Sequence, residues 1–192
     1  MKKNDEKINR SVRRTQRDLR NSLIELMKKK SILRITAKEI YEAADIGRTT
    51  FYAHYKDQYD LLEEIETDTI EQIEGYLHRN AIAILNKKDI IENAIVSLNY
   101  IADNCGLFQV LLGENGNIIF QKKFFHYFIE RSQKVLQNKS ENPEDVYIHE
   151  GYSVYIVNGT IGLIQYWLKN NMHIPVPTLA KMIVKIIERV RS

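Results

Sequence analysis

Cysteine, proline and glycine are the residues this chain largely does without: one Cys, three Pro and eight Gly in 192 residues. A lone cysteine, Cys105, excludes an internal disulfide framework and fits a reducing cytoplasm. So few breakers argue against a many-turned β-fold and for long uninterrupted helices. Long hydrophobic runs are missing as well. The N-terminus, MKKNDEKINRSVRRTQR, is charged with no apolar stretch behind it, so no secretory signal is expected. The most apolar run, 152–168, is interrupted by Asn158, Gly159, Thr160 and Gln165 and is slightly short for a span, which predicts a buried helix and no membrane partner. There is no Gly-rich phosphate loop, no zinc-type His/Glu helix motif and no recognisable nucleophile setting. His54, His78, His126, His149 and His173 show no metal-ligand spacing. The expectation is therefore not an enzyme: no catalytic residue, no metal, no cofactor. Cys105, without an identifiable base partner, reads as a small buried apolar residue.

What is present is an ordinary globular composition, 44% hydrophobic and 28% charged, in a chain long enough to bury a core in one large domain or two small ones. The net charge of +3 is unevenly spread. Residues 1–60 hold 15 Lys/Arg against 9 Asp/Glu, a net of +6, and residues 61–192 hold 13 against 16, a net of −3. A basic front and a mildly acidic back suggest that the front meets a polyanion, although a basic solvated face has the same signature.

Residues 1–11 read as a loose arm whose Lys2, Lys3, Lys7 and Arg10 either follow phosphates or keep a frayed end in solution. A helical period then begins near Ser11, with Val12, Leu19, Leu23, Leu26 and Met27 on one stripe and Arg13, Arg14, Arg17 and Arg20 opposite. Ser31, after Lys28, Lys29 and Lys30, marks its end. Thr36 with Glu39 three residues on forms a capping box, so Thr36 has a structural role and also opens a helix turn able to offer N–H groups to a phosphate. Ile40, Ala43 and Ala44 are expected to face inward, and Asp45-Ile46-Gly47 to supply a turn in which Gly47 takes unusual dihedrals.

The next short helix, 48–54, carries the chemistry. With Phe51 and Tyr55 inward and Ile46 filling the gap, Arg48, Thr49, Thr50, Tyr52 and His54 are left for solvent. Arg can bond bidentately to guanine, Thr can meet a thymine methyl or a phosphate, and a Tyr hydroxyl takes a phosphate. Each alone is an ordinary polar surface residue, and His54 reads equally as a cap and as a phosphate neighbour.

The segment IGRTTFYAHYKDQYDLL resembles the signature of TetR/AcrR-type (tetracycline-repressor-like) transcriptional regulators. In that family a short recognition helix ends in an aromatic pair, and a Phe/Tyr-x-x-Lys-x-(D/E)-L-L stretch opens a long fourth helix. The resemblance covers roughly residues 11–65. Its RTTFY…DLL variant is more distantly similar to the branch of dihydroxyacetone-kinase regulators. The chain departs from the pattern at Thr49, where the family often has Gly or a small residue, and at Gln58, where a phosphate-approaching Lys is usual. Lys56 is the nearby cation able to replace it.

The resemblance implies an all-α fold: a helix-turn-helix head over 1–58, joined by a helix running to about residue 80 to a regulatory and dimerisation body over 59–192. Beyond it, the helical pattern resumes from Lys88 through Asn104, breaks at Cys105-Gly106, and continues as a short apolar piece over 107–112. After a turn at 113–116, helices are expected over 117–138, from 144 or 145 to 169, and from 175–178 to about 190. The resemblance further implies a homodimer on a palindromic double-stranded DNA operator, through Thr36, Arg48, Thr49, Thr50, Tyr52, His54 and Lys56, with Arg13 and Arg14 on phosphates. Dimer contacts are expected at Gly159, Gly162, Gln165, Tyr166, Ile183 and Ile187, and Trp167 serves either there or in the core. A small apolar or amphipathic ligand is expected near Tyr100, Phe108, Leu112, Phe124, Phe128, Tyr152 and Tyr155. The function implied is a cytoplasmic repressor released by that ligand. Two alternatives are an all-helical protein-interaction module and a ligand-independent regulator, including an activator that works through a protein partner. Salt-dependent, sequence-selective duplex binding discriminates between the regulator and the interaction module.

Overall fold

A computed structural model of the protein describes residues 2–81, 87–113, 116–137 and 143–191, with side-chain surroundings for 10–76, 90–113, 116–133 and 147–189. Among the described residues the fold is all-α and has no strand. Helix α1 (Lys2–Met27) buries Leu19, Leu23 and Met27, one residue per turn on a single stripe. It runs back to Lys2, so the arm expected over 1–11 is instead helical from Lys2 onward; no Gly or Pro interrupts that stretch, and nothing local stops propagation. Ser31 accepts the Leu33 N–H (3.4 Å) and opens one 3-10 turn at Ile32–Arg34. Two short helices follow, α2 (Ala37–Ala43) and α3 (Arg48–His54), and then the long α4 (Gln58–Ala81).

The rest is α5 (Lys87–Asp103), α6 (Cys105–Leu111), α7 (Ile118–Gln137), α8 (Pro143–Lys169) and α9 (Val176–Arg191). The break expected at Cys105-Gly106 falls one residue earlier. Asn104 turns the chain, its side chain donating to Tyr100 O (2.9 Å), and Cys105 and Gly106 already belong to α6. A Cβ on Gly106 would meet only the flexible end of the Lys28 side chain, just beyond α1, at 3.1–3.2 Å. The turn and loop expected at 113–116 and 139–143 lie partly outside the described residues, as do the side chains of Leu77 and Val190.

Helix α7 packs along α8 and α5 along α9, while α1 touches α2, α4 and α6, so one apolar cluster runs from Leu19 and Phe51 to Trp167 and Leu179. Trp167 is buried and donates to Ile174 O (2.7 Å), which makes it a core anchor. Helix α8 is not covered all round, as its sequence suggested. Tyr147, Ile148, Val154, Tyr155 and Tyr166 stand exposed on it, because the body's other helices reach only its opposite side. No helix among the described residues is long and apolar enough to cross a membrane.

Candidate nucleic-acid interface

The candidate interface starts from a cap. Thr36 Oγ1 accepts the Glu39 N–H (3.3 Å) and Glu39 Oε2 accepts the Thr36 N–H (3.0 Å), which completes the capping box. Lys30 Nζ lies 2.6 Å from Glu39 Oε1, and together with the Thr36 N–H it holds the Glu39 carboxyl below its ordinary range. Thr36 is exposed but its hydroxyl is already engaged, also donating to Glu39 (3.1 Å).

Ile40 is fully buried, as expected, but Ala43 is exposed and Ala44 only half-buried. Tyr41 takes the position facing α3, its ring 6.1 Å from that of Phe51. The helical period puts 37, 40, 41 and 44 on one side and turns 43 away. The turn also differs from expectation at one residue. Asp45 holds the left-handed conformation (φ 53°), while Gly47 is extended (φ −66°, ψ 145°) and N-caps α3 without a side-chain bond. Asp tolerates that region because its short side chain bonds locally.

Phe51 is fully buried and Tyr55, the C-cap, nearly so, which fixes the rotation of α3. Arg48, Thr49, Thr50 and Tyr52 are left exposed, His54 half-buried beside the Tyr55 ring (6.2 Å). The Arg48 guanidinium sits 5.7 Å from the Tyr52 ring centre, a cation–π pair that pre-orients the arginine on the outer face. Lys56 is exposed, its N–H donating to Asp60 (2.9 Å), and Asp57 caps α4 through the N–H groups of Tyr59 (2.8 Å) and Asp60 (2.9 Å). Gln58 is half-buried at the start of α4.

The four arginines expected on one face of α1 divide. Arg13 and Arg14 are exposed, Arg14 lying 3.7 Å from Asp18. Arg17 bonds Asp18 (3.0 Å). Arg20 is drawn inward to Asp68 and Glu64 of α4, so it joins two helices instead of facing solvent.

In the body, a cavity of about 210 Å³ opens between α4, α5, α7, α8 and α9, with walls that include Ile73, Tyr76, Tyr100, Phe124, Phe128 and Ile161. Of the seven residues expected at a ligand pocket, it brings together Tyr100, Phe124 and Phe128. Phe108 and Leu112 line a separate depression with Gln165 and Tyr166; Tyr155 stands 64% exposed on the outside of α8, and Tyr152 is half-buried away from the cavity wall. Sequence reasoning missed Tyr76, Ser97 and Thr160, polar residues on the cavity wall whose spacing marks only amphipathic helices.

Of the residues expected at a dimer contact, Gly159, Gly162 and Tyr166 are exposed on α8 and Ile187 is half-buried on α9. Ile183 is buried and forms part of the cavity wall. Gln165 donates to Leu112 O (2.7 Å). No group of three His, Cys, Asp or Glu able to hold a metal exists among the described residues.

A TetR-type family model, described as a transcriptional regulator C-terminal region, matches residues 88–189. A curated relative, an uncharacterized HTH-type transcriptional regulator of Bacillus subtilis (strain 168), is 21% identical over 178 residues, 90% of this chain. The chain spans only 44% of that relative's length. Among solved structures, NalD of Pseudomonas aeruginosa, the secondary repressor of a multidrug efflux pump, superposes with a TM-score of 0.68 at 14% identity, over 94% of this chain and 96% of its own. The dihydroxyacetone kinase operon activator DhaS superposes at 0.53 with 17% identity, over 92% of this chain and 96% of its own.

Proposed function

This chain belongs to the TetR family of transcriptional regulators, and on that premise we propose that it binds a palindromic operator as a homodimer and represses until a small apolar ligand releases it. The observation that carries the DNA-binding half is the outer face of α3, where Arg48, Thr49, Thr50 and Tyr52 are exposed together while Phe51 and Tyr55 lock the helix from behind. A helix held so, after a tight turn, suits major-groove entry. Arg48 and Thr49 would read bases, and Tyr52, Lys56, Arg13 and Arg14 would meet phosphates. Thr36 and His54 flank this face, where a backbone contact is the natural role. The family is one of regulators, not enzymes.

The dimer reading is supported by the exposed apolar and small residues of α8, among them Gly159, Gly162 and Tyr166, with Ile187 beside them on α9. Two copies related by a two-fold axis would present two α3 helices to successive major grooves. The ligand reading is supported by the cavity, whose wall carries only hydroxyl groups (Tyr76, Ser97, Tyr100, Thr160) among apolar side chains and suits an uncharged, largely apolar molecule. Its resemblance in fold to a named activator as well as a named repressor keeps activation as the second reading.

Duplex binding at increasing salt tests the DNA half. The expected result is a linear fall of log affinity with log salt together with a preferred sequence. Binding that ignores both salt and sequence would leave the fold intact and remove the function.

A further inference from the structure

The positive charge of the front of the chain is concentrated in one place. Residues 1–17 hold seven Lys/Arg against Asp5 and Glu6, a net of +5 out of the +6 carried by residues 1–60. All seven belong to α1 and precede Leu19, its first buried residue among the described side chains. Lys3, Lys7, Arg10, Arg14 and Arg17 alternate spacings of four and three, which places them on one side of the helix, opposite Leu19, Leu23 and Met27. Arg10, Arg13, Arg14 and Arg17 are exposed. Asp18 offsets the two nearest the core, lying 3.7 Å from Arg14 and 3.0 Å from Arg17. Contacts along α1 give the row a direction. Just past the C-terminal end, Lys28 lies against Gly106 of α6. Arg20 pairs with Glu64 and Asp68 of α4, and Gln16 lies beside the hydroxyl of Tyr55, the C-cap of α3. Toward its N-terminus α1 therefore leaves the body, reaches the end of α3 next to the exposed Lys56, and continues beyond it. The helical rise sets Lys3 about 20 Å along the axis from Gln16.

We propose that this basic stripe is a second DNA-binding element, which follows the phosphates of the duplex flanking the half-site that α3 reads. The inference rests on the DNA reading above and extends it from Arg13 and Arg14 to Arg10, Lys7 and Lys3. Cations on phosphates release counterions and carry no base information, so the stripe adds affinity and salt dependence without changing the preferred sequence. A row already helical presents its charges without the ordering cost that a loose arm would bear on binding. An anionic lipid surface does not suit it. A helix lying on lipid needs an apolar face, and Ile8 is the only apolar residue over positions 2–11.

Two duplexes carrying the sequence selected from a random pool test it, one ending with that sequence and one extended by a helical turn of DNA on each side. The parent protein should bind the extended duplex at least about fivefold more tightly at low salt. Lys3→Gln, Lys7→Gln and Arg10→Gln combined should abolish that preference and flatten the fall of log affinity with log salt by about two or more. The selected sequence and the melting temperature should stay as in the parent, because the three positions precede the buried stretch of α1. Lys122→Gln with Lys123→Gln removes two exposed cations from α7 and should keep both the preference and the slope. A triple variant that matches the parent on both duplexes at every salt concentration would overturn the stripe and leave the α3 reading standing. Equal weakening on the two duplexes, or an equal loss of slope in the α7 variant, would overturn it as well, since the cations would then act through net charge and not on flanking phosphates. A parent protein that selects no sequence and binds neither duplex would remove the DNA reading and the stripe with it.

Discussion

Arg48 is the residue with most to lose, since it is exposed at the first turn of α3 and held over the Tyr52 ring. Arg48→Ala should cost about 1–3 kcal/mol of operator binding and relax base preference, as measured by titrating specific and random duplexes. Equal weakening on both would make it a phosphate contact only. Glu66 shifts in the direction opposite to Glu39. Burial pushes its carboxyl above the ordinary value, although Asn117 Nδ2 donates to it (3.0 Å). A raised folded value means that the proton is held more tightly folded than unfolded, so stability is fullest below the unfolded value of 4.5 and declines as pH rises through the folded one. Glu66→Gln, which keeps an acceptor for Asn117, should therefore raise the melting temperature at pH 7, and the gain should shrink in acid. Core residues such as Leu19, Leu23 and Phe51 were legible in the sequence because burial follows the helical period. Arg20 was not: its place opposite that stripe says nothing of Glu64 and Asp68, more than forty positions away.

Local signals read well for elements where capping chemistry sets the boundary. Thr36 and Glu39 announce α2, because that cap is made within four residues; Asp57 caps α4 just as locally, a signal the sequence reading passed over. The α2–α3 turn was legible in position but not in detail, since either Asp45 or Gly47 could take the left-handed conformation and it is Asp45 that does. Gly47 is thereby free of any conformational need. A Cβ there would meet only Thr50 Oγ1, at 3.9 Å. Gly47→Ser should supply the missing side-chain cap and stabilise α3 by a few tenths of a kcal/mol, about the usual Gly-to-Ser difference at this position, read by chemical denaturation. A loss of stability would mean that the turn needs Gly47 after all. Helix α8 was misread for a related reason: an all-round apolar pattern says that a helix must be covered, not by which molecule.

At the scale of the whole molecule, the apolar side of α8 left open by its own chain is the strongest support for a second copy. Tyr155→Asp places a charge in the middle of that side, at a residue that is 64% exposed and outside the buried core. Sedimentation should show the variant shifted toward monomer, with operator affinity falling alongside; a variant that stays dimeric would move the interface elsewhere. The family and its all-α fold were legible from residues 11–65, whereas the cavity was not, because its walls come from five helices whose mutual placement no local pattern encodes. The central claim is that this chain reads DNA as a two-fold pair through α3. Selection of bound sequences from a random duplex pool tests it most directly. The account predicts enrichment of one motif made of two inverted half-sites, with the preference blurred symmetrically in both halves by Arg48→Ala. A pool that emerges without an enriched sequence, or with a single unpaired half-site, would contradict it.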